Sequence, residues 1–113
     1  MTSQDTIDAI IEELGDRLVE CKLSRVVAID ISLDGRTIIL DRIESFERGK
    51  GHADRALKVL IELCNECQRD LTLIVRPLNA ETSERRLEEW YLTNGFIRCG
   101  GKLNTNEMRR TFR

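Results

Sequence analysis

Arg48-Gly49-Lys50-Gly51-His52-Ala53 separates two runs of different periodicity, and its reading decides the fold. Before it lies an apolar, β-branched stretch, Thr37 to Ile43, which reads as a strand. After it, Ala53, Ala56, Leu57, Leu60, Ile61 and Cys64 recur at helical spacing. A strand, a glycine turn and a helix start bring orphan amides and the positive end of a macrodipole to one place. Glycines let a ligand approach that backbone closely, so the turn suits a phosphate or diphosphate.

Spacing separates the known phosphate turns. A Walker loop needs Gly-Lys followed by Ser or Thr, but His52 follows Gly51. A dinucleotide fingerprint needs a third glycine, and Asp54 occupies that place. Arg48, Gly51 and Ala53 resemble the acyl-coenzyme A turn of the GNAT-type N-acetyltransferases, Gln/Arg-x-x-Gly-x-Gly/Ala, at every defined position. Some forty residues on, Leu87-Glu88-Glu89-Trp90-Tyr91-Leu92-Thr93-Asn94-Gly95-Phe96 resembles that family's other signature, with Tyr91 four residues before Gly95. The resemblance covers roughly residues 37 to 113.

Outward from this core, Ser3 reads as the N-cap of a first helix reaching about Lys22. Ile7, Ile10, Ile11, Leu14, Leu18 and Cys21 form its apolar face. Arg25 to Ser32 reads as a strand, Asp34-Gly35 as its turn, and Thr37 to Ile43 as the antiparallel return. A second helix over about Gly51 to Arg69 precedes a strand at Leu71 to Val75, and Pro77 starts a loop. A third helix should begin near Thr82 or Ser83 and stop at Asn94-Gly95. A final strand falls within Glu107 to Phe112, with 96–99 pairing nearby. The expected class is α/β with a mixed sheet, in the order α-β-β-α-β-α-β, as one domain over residues 1–113. The resemblance implies a truncated GNAT-like fold without the family's opening strand. The sheet edge so left bare would be covered by a homodimer or stay open for a large acceptor.

Composition limits the function classes. The chain has 113 residues and one proline, and its charge is uneven: residues 1–34 carry eight acidic and three basic side chains, residues 35–113 twelve and fifteen. The basic excess lies where a polyanionic coenzyme would sit. No apolar run is long enough for a membrane span, and the acidic first residues do not read as a signal peptide, so a cytoplasmic protein is expected. Basic residues are not interleaved with aromatics, which argues against nucleic-acid binding. Cys64 and Cys67 fall near a helix C-terminus, where the dipole disfavours a thiolate, and His52 is the sole histidine. Packed, reduced thiols and no metal site are therefore expected.

Acetyl transfer to an amine requires an anchored acyl donor, a deprotonated amine, a stabilised oxyanion and a protonated leaving thiol. The resemblance implies that Arg48, Gly49, Lys50, Gly51, His52 and Ala53 hold the diphosphate of acetyl-CoA. It also implies main-chain contacts from Ile43 and Ser45 to the pantetheine arm. Tyr91 is the implied general acid, since a phenol of pKa about 10 stays protonated at neutral pH. The family's carboxylate base matches Thr37, which cannot serve, leaving Asp41 or Glu44 as substitutes beside His52 or a water. The family asparagine seven residues before the tyrosine is Glu84 here, and Asn79 lies twelve before.

The expected activity is thus an acetyl-CoA-dependent N-acetyltransferase acting on a primary amine by direct transfer in a ternary complex. Short members of this layout resemble those carried by phages and mobile elements, where the acceptor can be a protein lysine. The alternatives are a non-catalytic GNAT-like module binding CoA or a protein partner, and a small dimeric α/β protein whose glycine turn is only a turn.

Overall fold

A computed structural model describes residues 3–47, 49–76, 83–99 and 106–113. Its elements are α1 (Ser3–Glu20), β1 (Val27–Asp34), β2 (Thr37–Ser45), α2 (His52–Glu66), β3 (Leu71–Ile74), α3 (Glu84–Thr93), β4 (Ile97–Arg98) and β5 (Glu107–Arg110). The fold is α/β, a five-stranded mixed sheet in the order β1-β2-β3-β5-β4 with three helices. The expected order gains only the two-residue β4, which pairs with β5 where 96–99 was expected to pair. Arg48, Pro77, Asn79 and Thr82 lie outside the described residues, as does the side chain of Ser3, the expected cap of α1.

All three helices end alike. Lys22, Gln68 and Gly95 have φ of 60°, 54° and 91°. In each case the next amide reaches back five residues: Leu23 to Leu18, Arg69 to Cys64, Phe96 to Tyr91. Left-handed residues placed just past the helix make these Schellman caps. They stop α1 and α2 two to three residues short of the expected Lys22 and Arg69. At the other end of α3, the Ser83 hydroxyl accepts from the Arg86 amide at 3.1 Å.

Strand alternation builds the core. Ile31 and Leu40 face each other across β1 and β2, Ile38 lies beside Leu71, and Leu73 beside Met108. These residues join Leu14, Leu18, Leu57, Leu60 and Phe96 in one buried cluster. The opposite sheet face carries Asp30, Thr37, Arg42, Thr72 and Arg109. Ile11, expected in the α1 core face, is 47% exposed, because the contact between α1 and the sheet needs a narrower stripe than the sequence offers. All four cysteines are free: Cys64 is buried, Cys21 and Cys67 half-buried, and Cys99 exposed. Among the described residues no helix is long and apolar enough to cross a membrane.

Candidate functional site

Two features of β2 open a cleft in the sheet. Its parallel pairing with β3 runs only from Ile38–Leu71 to Leu40–Leu73, although β2 continues to Ser45. On its other edge, Ile31 pairs with Leu40 and Asp30 with Arg42, so Asp41 is an extra, bulged residue. A bulge bends its strand and increases the local twist. It also returns Ile43 to the face of Leu40, opposite Ile29. Beyond Leu40 the β3-facing edge of β2 has no strand partner, and its backbone groups border a cavity of about 490 Å³.

Leu40 to Phe46 form one wall of that cavity, and Leu73, Ile74 and Arg76 another. Ala53 of α2 and Leu87, Trp90 and Tyr91 of α3 complete it. Six expected site residues therefore meet at one cleft: Asp41, Ile43, Glu44, Ser45, Ala53 and Tyr91. Gly49, Lys50, Gly51 and His52 flank it at the start of α2 without lining it, and Arg48 lies outside the described residues. The Ser45 hydroxyl donates to the Glu47 carbonyl at 2.6 Å, so its proton is already engaged. Ile43 is half-buried and packs against the core, so packing and a main-chain role coexist there.

The start of α2 is uncapped. Gly51 occupies the N-cap with φ 72° and ψ 15°, and no side chain bonds to the first amides. The first helical bond runs from Arg55 N–H to the Gly51 carbonyl, leaving the preceding amides without helical partners. Nδ1 of His52 is buried and lacks a hydrogen-bond partner among the described residues. Left-handed backbone, orphan amides and an orphan imidazole nitrogen fit a polar, anionic group at this turn. Asp54 opposes that charge, but it accepts hydrogen bonds from Lys58 at 2.6 Å and Trp90 Nε1 at 2.9 Å. These bonds hold its carboxyl below the usual carboxylate range and tie α3 to α2, which places Tyr91 relative to the turn.

Tyr91 is buried, its ring centroid 4.9 Å from Trp90 and 5.4 Å from Phe96. Burial alone pushes its hydroxyl up to about 12. Glu44 is engaged by Arg42, which also approaches Asp30 at 3.9 Å. Asp41 is exposed on the bulge at the cleft wall. Thr37 sits at the far end of β2, 3.4 Å from Arg109 Nη2 and remote from the cleft. Glu84 is exposed at the first turn of α3. Sequence reasoning missed Phe46, Ile74, Arg76 and Leu87 as cleft residues, and Asp54 as the tie between helices. One signal was present: the adjacent polar pair Asp41-Arg42 interrupts an apolar strand, as a bulge does.

No protein-family profile matches the chain, and no curated protein matches it in sequence. Among solved structures, the crystal structure of the anti-CRISPR protein AcrVA5 is similar, with a TM-score of 0.68 at 18% identity over 77% of this chain and 92% of that one. The likeness at that identity is one of fold.

Proposed function

We propose that this chain is an acetyl-CoA-dependent N-acetyltransferase with a truncated GNAT-like fold, transferring acetyl to a primary amine, a protein lysine among the acceptors, within a ternary complex in the cytoplasm. One observation carries the proposal. The gap where β2 leaves β3 joins the uncapped, glycine-started end of α2 to the wall containing Tyr91. A thioester arm laid along the unpaired edge of β2 would receive main-chain hydrogen bonds at Ile43 and Ser45, and its diphosphate would meet the amides that follow Gly51. The amine nitrogen attacks the thioester carbonyl, the C–N bond forms, and the C–S bond breaks to release a thiolate. Asp41 takes the amine proton, directly or through a water.

A second reading, a non-catalytic module that binds CoA or a protein, is favoured by the engagement of Glu44 with Arg42, which leaves Asp41 as the sole carboxylate of the cleft outside an ion pair among the described residues. Thiol release in the presence of acetyl-CoA and a panel of amines separates the two. Thermal melts with acetyl-CoA should rise for the enzyme and for a module that binds CoA, since a ligand that binds only the folded state stabilises it. No rise would remove both of these and leave a module that binds a protein. Fold likeness does not carry a substrate, so the acceptor is sought by mass spectrometry of lysate acetylation with and without the protein.

A further inference from the structure

A second cavity, of about 410 Å³, lies on the far side of the α2–α3 contact from the cleft. Lys58 and Glu62 of α2 border it, five and nine residues beyond Ala53, hence about 7 to 13 Å farther along the helix axis. Its other wall is the cap of α3 together with Arg110 and Arg113. The two guanidiniums converge on one point. A Cβ added to Gly95 would lie 3.2 Å from Arg110 Nε and 3.8 Å from Arg113 Nη2, and the φ of 91° at Gly95 already disfavours any side chain.

Arg110 is held in place rather than merely present. Its Nε donates to the Asn94 carbonyl at 3.1 Å and its Nη1 to Asn65 Oδ1 at 2.9 Å. The same Asn65 oxygen accepts from the Arg113 amide at 3.1 Å, which brings the second arginine to the site. Among the described residues no carboxylate stands within ion-pairing distance of either guanidinium, although Glu62 lines the cavity and Asp54 engages Lys58. Burial disfavours the charged form of Arg110, and the like charge of Arg113 beside it adds repulsion. Both effects lower the Arg110 pKa. An anion between the two forks would offset that repulsion, and planar guanidiniums bind phosphate oxygens in pairs. The hollow is wide and open to solvent, so it leaves room for an ester group beyond the phosphate.

We propose that Arg110, Arg113 and the glycine gap at Gly95 form a site for a small organic phosphate monoester, separate from the β2–β3 cleft. It does not depend on the acetyltransferase reading. The test is a titration of the isotope-labelled protein with glycerol 3-phosphate and, in parallel, inorganic phosphate at constant ionic strength, followed by amide chemical shifts. The Gly95, Phe96 and Arg113 amides should move saturably, with the monoester binding more tightly than inorganic phosphate. Arg113→Gln should weaken binding at least tenfold, while Lys50→Gln, at the glycine turn, should change it less than twofold. Thr93→Glu, which adds a carboxylate to the cavity wall, is the second variant and should weaken binding similarly without touching either arginine. Shifts confined to residues 49–54 and lost in Lys50→Gln would assign the phosphate to the turn and overturn the proposal. Absence of saturable shifts at tens of millimolar ligand, or binding unchanged in both Arg113→Gln and Thr93→Glu, would do the same.

Discussion

Tyr91 lines the cleft with its ring packed against Trp90 and Phe96, and burial pushes its phenol pKa up to about 12. A departing thiol has an ordinary pKa near 8.5. On the proposed acetyltransferase reading, full proton transfer from this phenol to the sulfur would be uphill, and Tyr91 would instead donate a hydrogen bond to the developing thiolate, with solvent completing the protonation. Such a bond to a charged group is worth about 1.5 to 3 kcal/mol. Tyr91→Phe should accordingly lower kcat about 10- to 100-fold and leave the KM for acetyl-CoA within about threefold, as measured by steady-state thiol release; an unchanged kcat removes the role. The two carboxylates that the sequence left as equals separate through their partners. Because Arg42 engages Glu44, Asp41→Asn should reduce kcat/KM at least tenfold, with Glu44→Gln within about twofold. Sequence alone could identify both carboxylates, since each lies near the end of the strand. It could not decide the partner, because Arg42 shares a face with Glu44 two residues on and, through the bulged register, with Asp30 on β1.

At the scale of elements, the positions of strands and helices were legible because alternation and helical spacing are strong in β1, β2 and α2. Helix ends were less so. Gly95 announced one Schellman cap, whereas Lys22 and Gln68 adopt the same left-handed conformation without being glycine. The buried Leu23 that follows Lys22 and the long-range packing of Arg69 hold them there against local preference. The splaying of β2 from β3 had no local signature beyond Asp41-Arg42, since pairing across a parallel crossover is fixed by tertiary register. Gly51 is the element-scale test. A Cβ there meets nothing within 4 Å, so the obstacle to substitution is φ 72° rather than a clash. A β-branched residue held in that region costs about 1 to 2 kcal/mol. Gly51→Val should lower stability by about that amount and abolish the thermal shift given by acetyl-CoA, while Gly51→Asn, which tolerates left-handed backbone, should retain much of both. A full shift in Gly51→Val would detach the turn from the ligand.

Across the whole molecule, the groups whose ionisation is coupled to folding include carboxylates at one end of the pH scale and a thiol and a phenol at the other. At the β3 end, the Asp70 carboxylate accepts from Arg109 and, at 3.2 Å, from the Phe112 amide, joining the start of β3 to β5 and the last residues. The Arg109 bond is the larger of these in holding Asp70 below its ordinary 3.8. Its contribution is thus complete above that value and lost as pH falls through the depressed one. Asp70→Asn should cost roughly 1 to 3 kcal/mol at neutral pH and flatten the acid limb. At alkaline pH the direction reverses. Burial pushes the Cys64 thiol from 9 up to about 12, and the Tyr91 phenol from 10 up to about 12. Between those values the unfolded chain releases protons that the folded chain keeps, so stability falls by about 1.4 kcal/mol per pH unit for each group. Denaturant unfolding should show a loss of about 3 to 4 kcal/mol between pH 8 and 11, beginning near pH 9. Cys64→Ala, though less stable at pH 8 from the smaller side chain, should reduce the loss that begins near pH 9 and leave the part that Tyr91 adds from pH 10, with the Cys99 thiol, raised by burial, keeping its own share. An identical alkaline slope in that variant would show that the Cys64 thiol ionises as freely in the folded chain as in the unfolded one.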